Sequence, residues 1–428
     1  MKSRAFTAIA LLPLIGLFLG CSGGLGLSLS SPSHAFQGQR HRDPVAILKA
    51  ADAPLAKRNP ELVALKIQQM SASPFAFFRG SAVLFYADAR SDARLGTPIE
   101  IPLQGDFHLE NLGTYRTASG PVAYDLNDFD EAFTGAYLWE LARCAVSIHL
   151  AAEEHLSLSA AERDALSRRF LLSVHRRLAQ LQRNPGDLSR PLREPDLTGP
   201  ARAAIHLAEK QDRGEFLQKL APQSRFKTGK KVREVDASTR QAVAVAVRGY
   251  AAGRPQGEAF YQVKDVAERI AGVASLGRYR YVALIEGPTM SPGDDVVLEI
   301  KEALPSASGL GKGQDDASRV LQAYRYFLPE ADPLLGVAKF RGQGMLVREH
   351  QPAKGGVELA DLKSKSDFAA FLEDAALVAA RTLARSGQGS RILAEMASAE
   401  DLEQRVGSFA AEYVRQVESD YKAFTKGR

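Results

Sequence analysis

Two short polar segments contain side chains that could move a proton and hold a cation. The first is Gly105–Asn111, with the sequence GDFHLEN. An aspartate and an asparagine in one loop can converge on a reacting centre, where Asp106 could accept a hydroxyl proton and Asn111 could hold a divalent cation. The same spacing is common in ordinary polar turns, so this interpretation needs support from the rest of the chain.

The second segment, Asp125–Glu131, has four carboxylates within seven residues. Such groups repel one another, so the cluster needs a cation or arginine partners, and without them the closest pairs should have raised pKa values. A charged surface turn is the plainer interpretation, but Leu126 and Phe129 argue against a fully solvated one. Hard oxygen ligands of this kind favour Mg²⁺, which shares its coordination shell with water and phosphate.

Two later features would complete such a site. The turn Gly272–Gly277 precedes an apolar strand, and backbone N–H groups in a glycine turn can cradle phosphates. Lys301 ends a second apolar strand, from which it could reach phosphates. Taken singly, these are also a plain hairpin turn and an exposed lysine. Together with the two polar segments they form the set of groups that kinase chemistry uses.

The order of hydrophobic patterns predicts an α+β protein. Strands are predicted at 81–86, 99–103, 122–126, 279–285, 296–300, 336–340 and 345–348, and helices at 60–70, 137–154, 160–184, 198–212, 237–252, 315–328, 367–386 and 399–424. The composition changes near Gly253, so a β-rich module is expected between two helical regions.

The first 21 residues are expected to be a lipoprotein signal peptide. A basic start is followed by an apolar run, 8–19, that is too short to span a membrane stably. It leads into LFLGCS, which resembles a bacterial lipobox with Cys21 as the lipidated residue and Ser22 favouring the outer membrane, facing the periplasm. A simple secretory signal with a chance cysteine is the alternative. Residues 22–43 are expected to be a flexible tether.

Composition limits the remaining possibilities. The chain has 428 residues, of which 45% are hydrophobic and 25% charged, as in ordinary globular proteins. Two cysteines give neither a disulfide framework nor a cysteine-based metal site. The net charge of +5 comes from scattered lysines and arginines, so no nucleic-acid partner is expected. No second apolar run approaches membrane-spanning length.

The polar segments resemble motifs of aminoglycoside phosphotransferase-like kinases. GDFHLEN is similar to their catalytic loop, which reads His-Gly-Asp-x-His-x-x-Asn, with Gln104 in place of the first histidine. The resemblance implies that Asp106 and His108 are catalytic and that Asn111 binds metal. The segment after Asp125 resembles the metal-binding motif of the same kinases, which implies Asp128 as a ligand and Asp130 as a further one.

The chain resembles the bacterial family DUF2252 more closely, over about residues 45–425. The shared motifs are Arg79-Gly80, Gly105–Asn111, Asp125–Glu131, Gly272–Gly277 and Lys301–Ala303. The resemblance implies that nucleotide is bound by a further set of residues, with Ala274 standing where a middle glycine is usual. These residues are Gly272, Ser275, Gly277 and Lys301.

The order of the motifs implies a circularly permuted, two-lobed, protein kinase-like fold. Kinases place the glycine loop and lysine before the catalytic loop, whereas here they follow it. We expect one domain over 44–428, with a catalytic lobe at 44–254, a β-rich nucleotide lobe at 255–355 and returning helices at 356–428. Joining neighbouring termini of a parent fold preserves its site.

The resemblance predicts a kinase-like phosphotransferase that uses ATP and Mg²⁺ on the hydroxyl of a small molecule. Two alternatives use the same scaffold. One is nucleotidyl transfer, which moves AMP. The other is a non-catalytic binding protein of the cell envelope, which is favoured by Ala274 and by the scarcity of ATP outside the cytoplasm. The membrane is an expected partner through the lipid anchor.

Overall fold

A computed structural model describes residues 42–310 and 315–427 of the chain. The expected signal peptide, Cys21 and nearly all of the tether lie outside these residues. The described part is a mixed α+β structure, which confirms the predicted fold class. None of its helices is long and apolar enough to cross a membrane.

Most of the helices share the largest apolar core, while two pack against the large sheet. The helices are α1 Pro44–Arg58, α2 Pro60–Met70, α3 Pro74–Gly80, α4 Ala82–Ala89, α5 Tyr137–Leu156, α6 Ala160–Arg183, α7 Gly199–Glu209, α8 Arg213–Leu220, α9 Ala237–Ala251, α10 Asp316–Phe327, α11 Lys365–Arg385, α12 Gly389–Glu395, α13 Ala399–Leu402 and α14 Ser408–Lys426. Helix α5 is buried along most of its length in the largest apolar core. It therefore gives the side chains on its first turns a rigid base.

The strands form one large sheet and two separate antiparallel pairs. They are β1 Glu100–Leu103, β2 Leu112–Arg116, β3 Val122–Leu126, β4 Phe133–Ala136, β5 Val232–Glu234, β6 Val263–Arg269, β7 Arg280–Ile285, β8 Val296–Glu302, β9 Gly336–Phe340 and β10 Gln343–Glu349. The large sheet is antiparallel with the order β5-β6-β7-β8-β10-β9, while β1 pairs with β4 and β2 with β3.

The pairing of the short strands holds the two polar segments side by side. Gly105–Asn111 follows β1, and Asp125–Glu131 runs from the end of β3 to just before β4. The register of β1 with β4 sets Leu103 opposite Phe133, so the segment that follows β1 starts beside the residues that precede β4. The backbone N–H of Asn127 also donates to the carbonyl of Asn111, with N to O 3.2 Å.

Several predicted elements are confirmed, and two need correction. The helices at 60–70 and 160–184 and the strand at 122–126 match α2, α6 and β3 closely. The strand predicted at 81–86 is wrong, because Ala82–Ala89 is a helix buried along most of its length. A short apolar run shows no period that separates a buried strand from a buried helix. The helix predicted at 399–424 is interrupted by a π-helical segment, Glu403–Gly407.

Candidate active site

Glu140, in the first turn of helix α5, holds the start of the first polar segment by hydrogen bonds. The carboxylate of Glu140 accepts the backbone N–H of Gln104, with N to Oε2 2.6 Å, and also that of Gly105. Burial raises the pKa of Glu140 to about 7, although these hydrogen bonds act in the opposite direction. Gly105 has φ of +83°, and a Cβ there would overlap the carbonyl oxygen of Glu131. Glycine at this position therefore lets the two segments touch.

Asp106 is buried against an arginine of α5. Arg143 Nε donates to its Oδ1 over 2.6 Å, and His108 Nε2 lies 3.5 Å from its Oδ2. Burial alone would raise the pKa of Asp106, but Arg143 and His108 outweigh it and lower the pKa. Arg143 is itself held by the carbonyl of Phe78 and lies over that residue's ring. Asp106 is thus an ionised carboxylate in a fixed orientation.

Asn111 turns one end of its side chain into the loop. Its Nδ2 donates to the backbone carbonyl of Asp106 over 2.9 Å. Because that bond uses the amide nitrogen, Oδ1 is the atom with which Asn111 could bind a cation.

The carboxylates of the second segment have cationic partners within the protein, some of them shared. Asp125 pairs with Arg385 of α11 over 3.0 Å. Asp130 pairs with Lys301 over 2.5 Å and with Arg278 over 2.9 Å, and Glu131 with Arg278 over 3.1 Å. Protein cations therefore supply the compensation that the sequence required.

Asp128 differs from the other three acidic residues because its side chain is 40% exposed. Its Oδ2 lies 3.6 Å from Lys301 Nζ. Lys301 and Arg348 outweigh burial and lower the pKa of Asp128, so the rise expected for carboxylates without cationic partners does not occur here. For Glu131 the pKa is raised as expected, although burial is the main cause.

The glycine turn reaches the acidic segment through the residue that follows it. Gly272 and Gly277 have φ of +73° and +93°, and Ser275 is buried between them. A Cβ at Gly277 would lie 3.2 Å from Leu55 and Val63 side-chain atoms, so this glycine faces helices α1 and α2. Arg278 then joins the turn to Asp130 and Glu131.

The predicted residues thus form two adjoining groups. Asp106, His108 and Asn111 make up the first, and Asp128, Asp130 and Lys301 the second. Gln104 connects them, because its side-chain oxygen accepts the backbone N–H of Asp106 and its side-chain nitrogen donates to the carbonyl of Asp128. Gly272, Ser275 and Gly277 lie in the turn beside the second group.

The donor set suits a cation that takes few protein ligands. Within residues 42–310 and 315–427, no three His, Cys, Asp or Glu side chains are arranged to hold a metal ion. Mg²⁺ typically uses one or two carboxylates together with water and substrate phosphates. Asn111 Oδ1 and the exposed Asp128 carboxylate fit that pattern, whereas Asp130 is engaged by Lys301 and Arg278.

The sequence analysis missed the cations that hold the site together. Arg143, Arg278 and Arg385 each neutralise a carboxylate of the two motifs. Arg143 carried a usable signal, since it is a charged residue within the apolar stretch of α5. Arg278 and Arg385 gave none, because each is far in sequence from its partner.

Fold and site together define a mixed α+β protein in which buried ion pairs join a six-stranded sheet to the two polar segments. Residues 58–427 match the family described as "Uncharacterized protein conserved in bacteria (DUF2252)". The chain belongs to that family. No curated protein and no solved structure matches it.

Proposed function

We propose that the protein is a kinase-like phosphotransferase that uses ATP and Mg²⁺ to phosphorylate a hydroxyl group of a small molecule. The observation that carries this proposal is the position of Lys301. Its ammonium reaches across from the sheet to Asp130 and Asp128, 2.5 and 3.6 Å away, beside the loop that holds Asp106. Kinase chemistry requires a strand lysine, a metal-binding aspartate and a catalytic-loop aspartate in one cleft.

The order of strands supports a permuted kinase-like β-lobe. The turn Gly272–Gly277 joins β6 to β7, and Lys301 lies on β8 next in the sheet. In protein kinases the glycine-rich loop likewise precedes a lysine on the third strand. Here the Asp106 loop comes before all three strands, which is the order that a circular permutation would produce.

Each motif residue has a role that its contacts allow. Asn111 and Asp128 would hold Mg²⁺, which when bound supplies charge neutralisation at the transferred phosphate. Lys301 would turn from the carboxylates towards the phosphates, beneath Gly272, Ser275 and Gly277. Asp130 would keep Arg278 in place.

Asp106 would orient the substrate hydroxyl and take its proton late in the reaction. Its lowered pKa makes it a weak base. A loose phosphoryl-transfer transition state asks mainly for positioning, so a weak base is sufficient. His108, next to the same carboxylate, would assist in orienting the substrate.

A non-catalytic binding protein is the second candidate. It is favoured by the ion pair between Asp106 and the fully buried Arg143, because that pair gives Asp106 a structural role that needs no group transfer. AMP transfer on the same scaffold is a third outcome that product analysis would reveal. For location, we propose that Cys21 carries a lipid anchor in the bacterial envelope.

The test is incubation of the full chain with Mg²⁺ and ATP labelled at either the α- or the γ-phosphate, together with a mixture of hydroxyl-bearing small molecules. Transfer of the γ-label supports the proposal, and transfer of the α-label supports AMP transfer instead. ATP binding without transfer of either label would favour the binding protein. Asp106→Asn should keep ATP binding and lose transfer, since its proposed role is with the substrate proton.

A further inference from the structure

One face of the six-stranded sheet carries charged side chains beside the candidate site. Arg280 on β7 pairs in register with Lys301 on β8, and Arg348 on β10 pairs with Glu299 two positions before that lysine. Because side chains alternate along a strand, these four residues share a face. Arg269, at the end of β6, joins them through Glu299.

Three guanidinium groups surround the single carboxylate of Glu299. Arg280 donates to its Oε1 over 2.9 and 2.6 Å, and Arg348 to its Oε2 over 2.8 and 2.6 Å. Arg269 Nε lies 3.1 Å from Oε1. The Glu299 side chain is 2% exposed, so most of the cluster is removed from water, and three guanidinium groups against one carboxylate leave excess positive charge.

Lys354 adds a further cation from the segment that follows β10. It is solvent-exposed, and together with Arg348 it lines a small cavity beside Asn127, next to Asp128 in the chain. The described residues provide its ammonium with neither a hydrogen bond nor an ion pair.

The acids around that cavity are already bound elsewhere. Glu349 pairs with Arg213 over 2.6 Å. Asp332 accepts backbone N–H groups of Leu334 and Glu349, and burial raises its pKa to about 6. Neither supplies a counter-charge to Lys354.

The apolar part of the same sheet face is already covered. Val282, Leu284 and Val297 pack against Leu217 of α8 and against Phe226. A nucleobase binds best against apolar or aromatic surface. What this face presents beside Asp128 and Lys301 is charge instead.

We propose that Arg269, Arg280, Arg348 and Lys354, defined here as the cationic floor, bind the phosphate chain of a polyphosphate ligand and that a nucleobase contributes little to binding. The shared chemistry is a chain of phosphates, which either a nucleoside triphosphate or inorganic polyphosphate could provide. Lys354 is the contacting cation, while the three arginines supply the field around Glu299. The inference rests on the proposed function only for the position of Mg²⁺ beside Asp128. It does not require that the protein transfer a phosphate.

The experiment is titration calorimetry of the full chain with tripolyphosphate, ATP and adenosine, each with and without Mg²⁺. We expect tripolyphosphate and ATP to bind with similar affinity and adenosine not to bind. Lys354→Gln should weaken tripolyphosphate binding about tenfold, as for loss of one charge-assisted hydrogen bond. Lys354→Arg should restore most of it. Lys365→Gln is the control, since Lys365 is 47% exposed and pairs with Glu162 on the helical side.

The outcomes separate this inference from the phosphotransferase proposal. Much tighter binding of ATP than of tripolyphosphate, or binding of adenosine alone, would overturn the cationic floor as the main binding surface. So would equal effects of Lys354→Gln and Lys365→Gln. Tripolyphosphate binding that depends on Lys354, in a protein that transfers no label from ATP, would support the inference while the phosphotransferase proposal fails.

Discussion

Lys301 and Asp130 form an ion pair of 2.5 Å in which the lysine side chain is 4% exposed and the carboxylate 10%. The pair joins strand β8 to the segment after β3, and Lys301 is also close to Asp128. One buried ammonium therefore holds the sheet against both candidate metal-site aspartates.

Replacing that ammonium should destabilise the protein. Lys301→Met keeps the length of the side chain but leaves Asp130 with Arg278 alone and Asp128 without its nearest cation. Breaking a buried pair on one side typically costs about 3–5 kcal/mol, which would appear in urea denaturation. Lys219→Met is the matched control, because Lys219 and its partner Glu215 are 76% and 72% exposed. Similar losses in both variants would show that the Lys301 pair is not structural.

The contact between the two polar segments should depend on Gly105. A side chain at this position combines a positive φ with overlap on the carbonyl oxygen of Glu131. We expect Gly105→Ala to lower the free energy of unfolding by about 3 kcal/mol or more, since strain and overlap add. Gly120→Ala separates the two causes, because Gly120 has φ of +110° and nothing within 4 Å of the added Cβ. An equal effect of the two substitutions would mean that the segments are not in contact.

Glu140 should make stability depend on pH. Its pKa is raised from 4.5 to about 7, so its neutral form favours the folded state. That contribution is fully present below pH 4.5 and is lost as the pH rises through 7, by about 3 kcal/mol at most. The stability of wild type relative to Glu140→Gln should therefore fall across this window. The substitution itself can shift stability by a constant amount at every pH, so the test is the slope. If the difference in free energy of unfolding between the two proteins does not change from pH 4.5 to 7, the raised pKa is contradicted.

Anchoring is tested at Cys21. If the cysteine is lipidated, wild type expressed in bacteria should fractionate with membranes and take up labelled palmitate. Cys21→Ala should remain soluble or unprocessed and take up no label. Identical fractionation and labelling of both proteins would show that the lipobox interpretation is wrong.

The sequence predicted elements well where a pattern was long. Helix α5 has many apolar positions at one spacing, so its type was clear from periodicity. The helix at 82–89 was missed because a short apolar run has no distinct period. The motif residues were found because Gly105–Asn111 and Asp125–Glu131 are compact in sequence.

The partners of those motif residues could not be found in the same way. Arg278 and Arg385 meet Asp130 and Asp125 only after the sheet and α11 fold onto the helical core. An arginine also gives no local sign of which carboxylate it will neutralise. The sequence therefore revealed a need for compensating charge but could not reveal that protein cations meet most of it.

The most direct test of the account is the thermal stability of wild type and Asp128→Asn with ATP, Mg²⁺ or both. Wild type should gain more from ATP and Mg²⁺ together than from the two separate gains combined, because phosphates complete the metal's shell. Asp128→Asn should lose that excess while Asp106→Asn keeps it. Without ligands, Asp128→Asn should be slightly less stable, since the ionised carboxylate is favoured by Lys301 and Arg348. If Asp128→Asn responds to ATP and Mg²⁺ as wild type does, Asp128 is not the metal ligand and the kinase-like assignment is wrong.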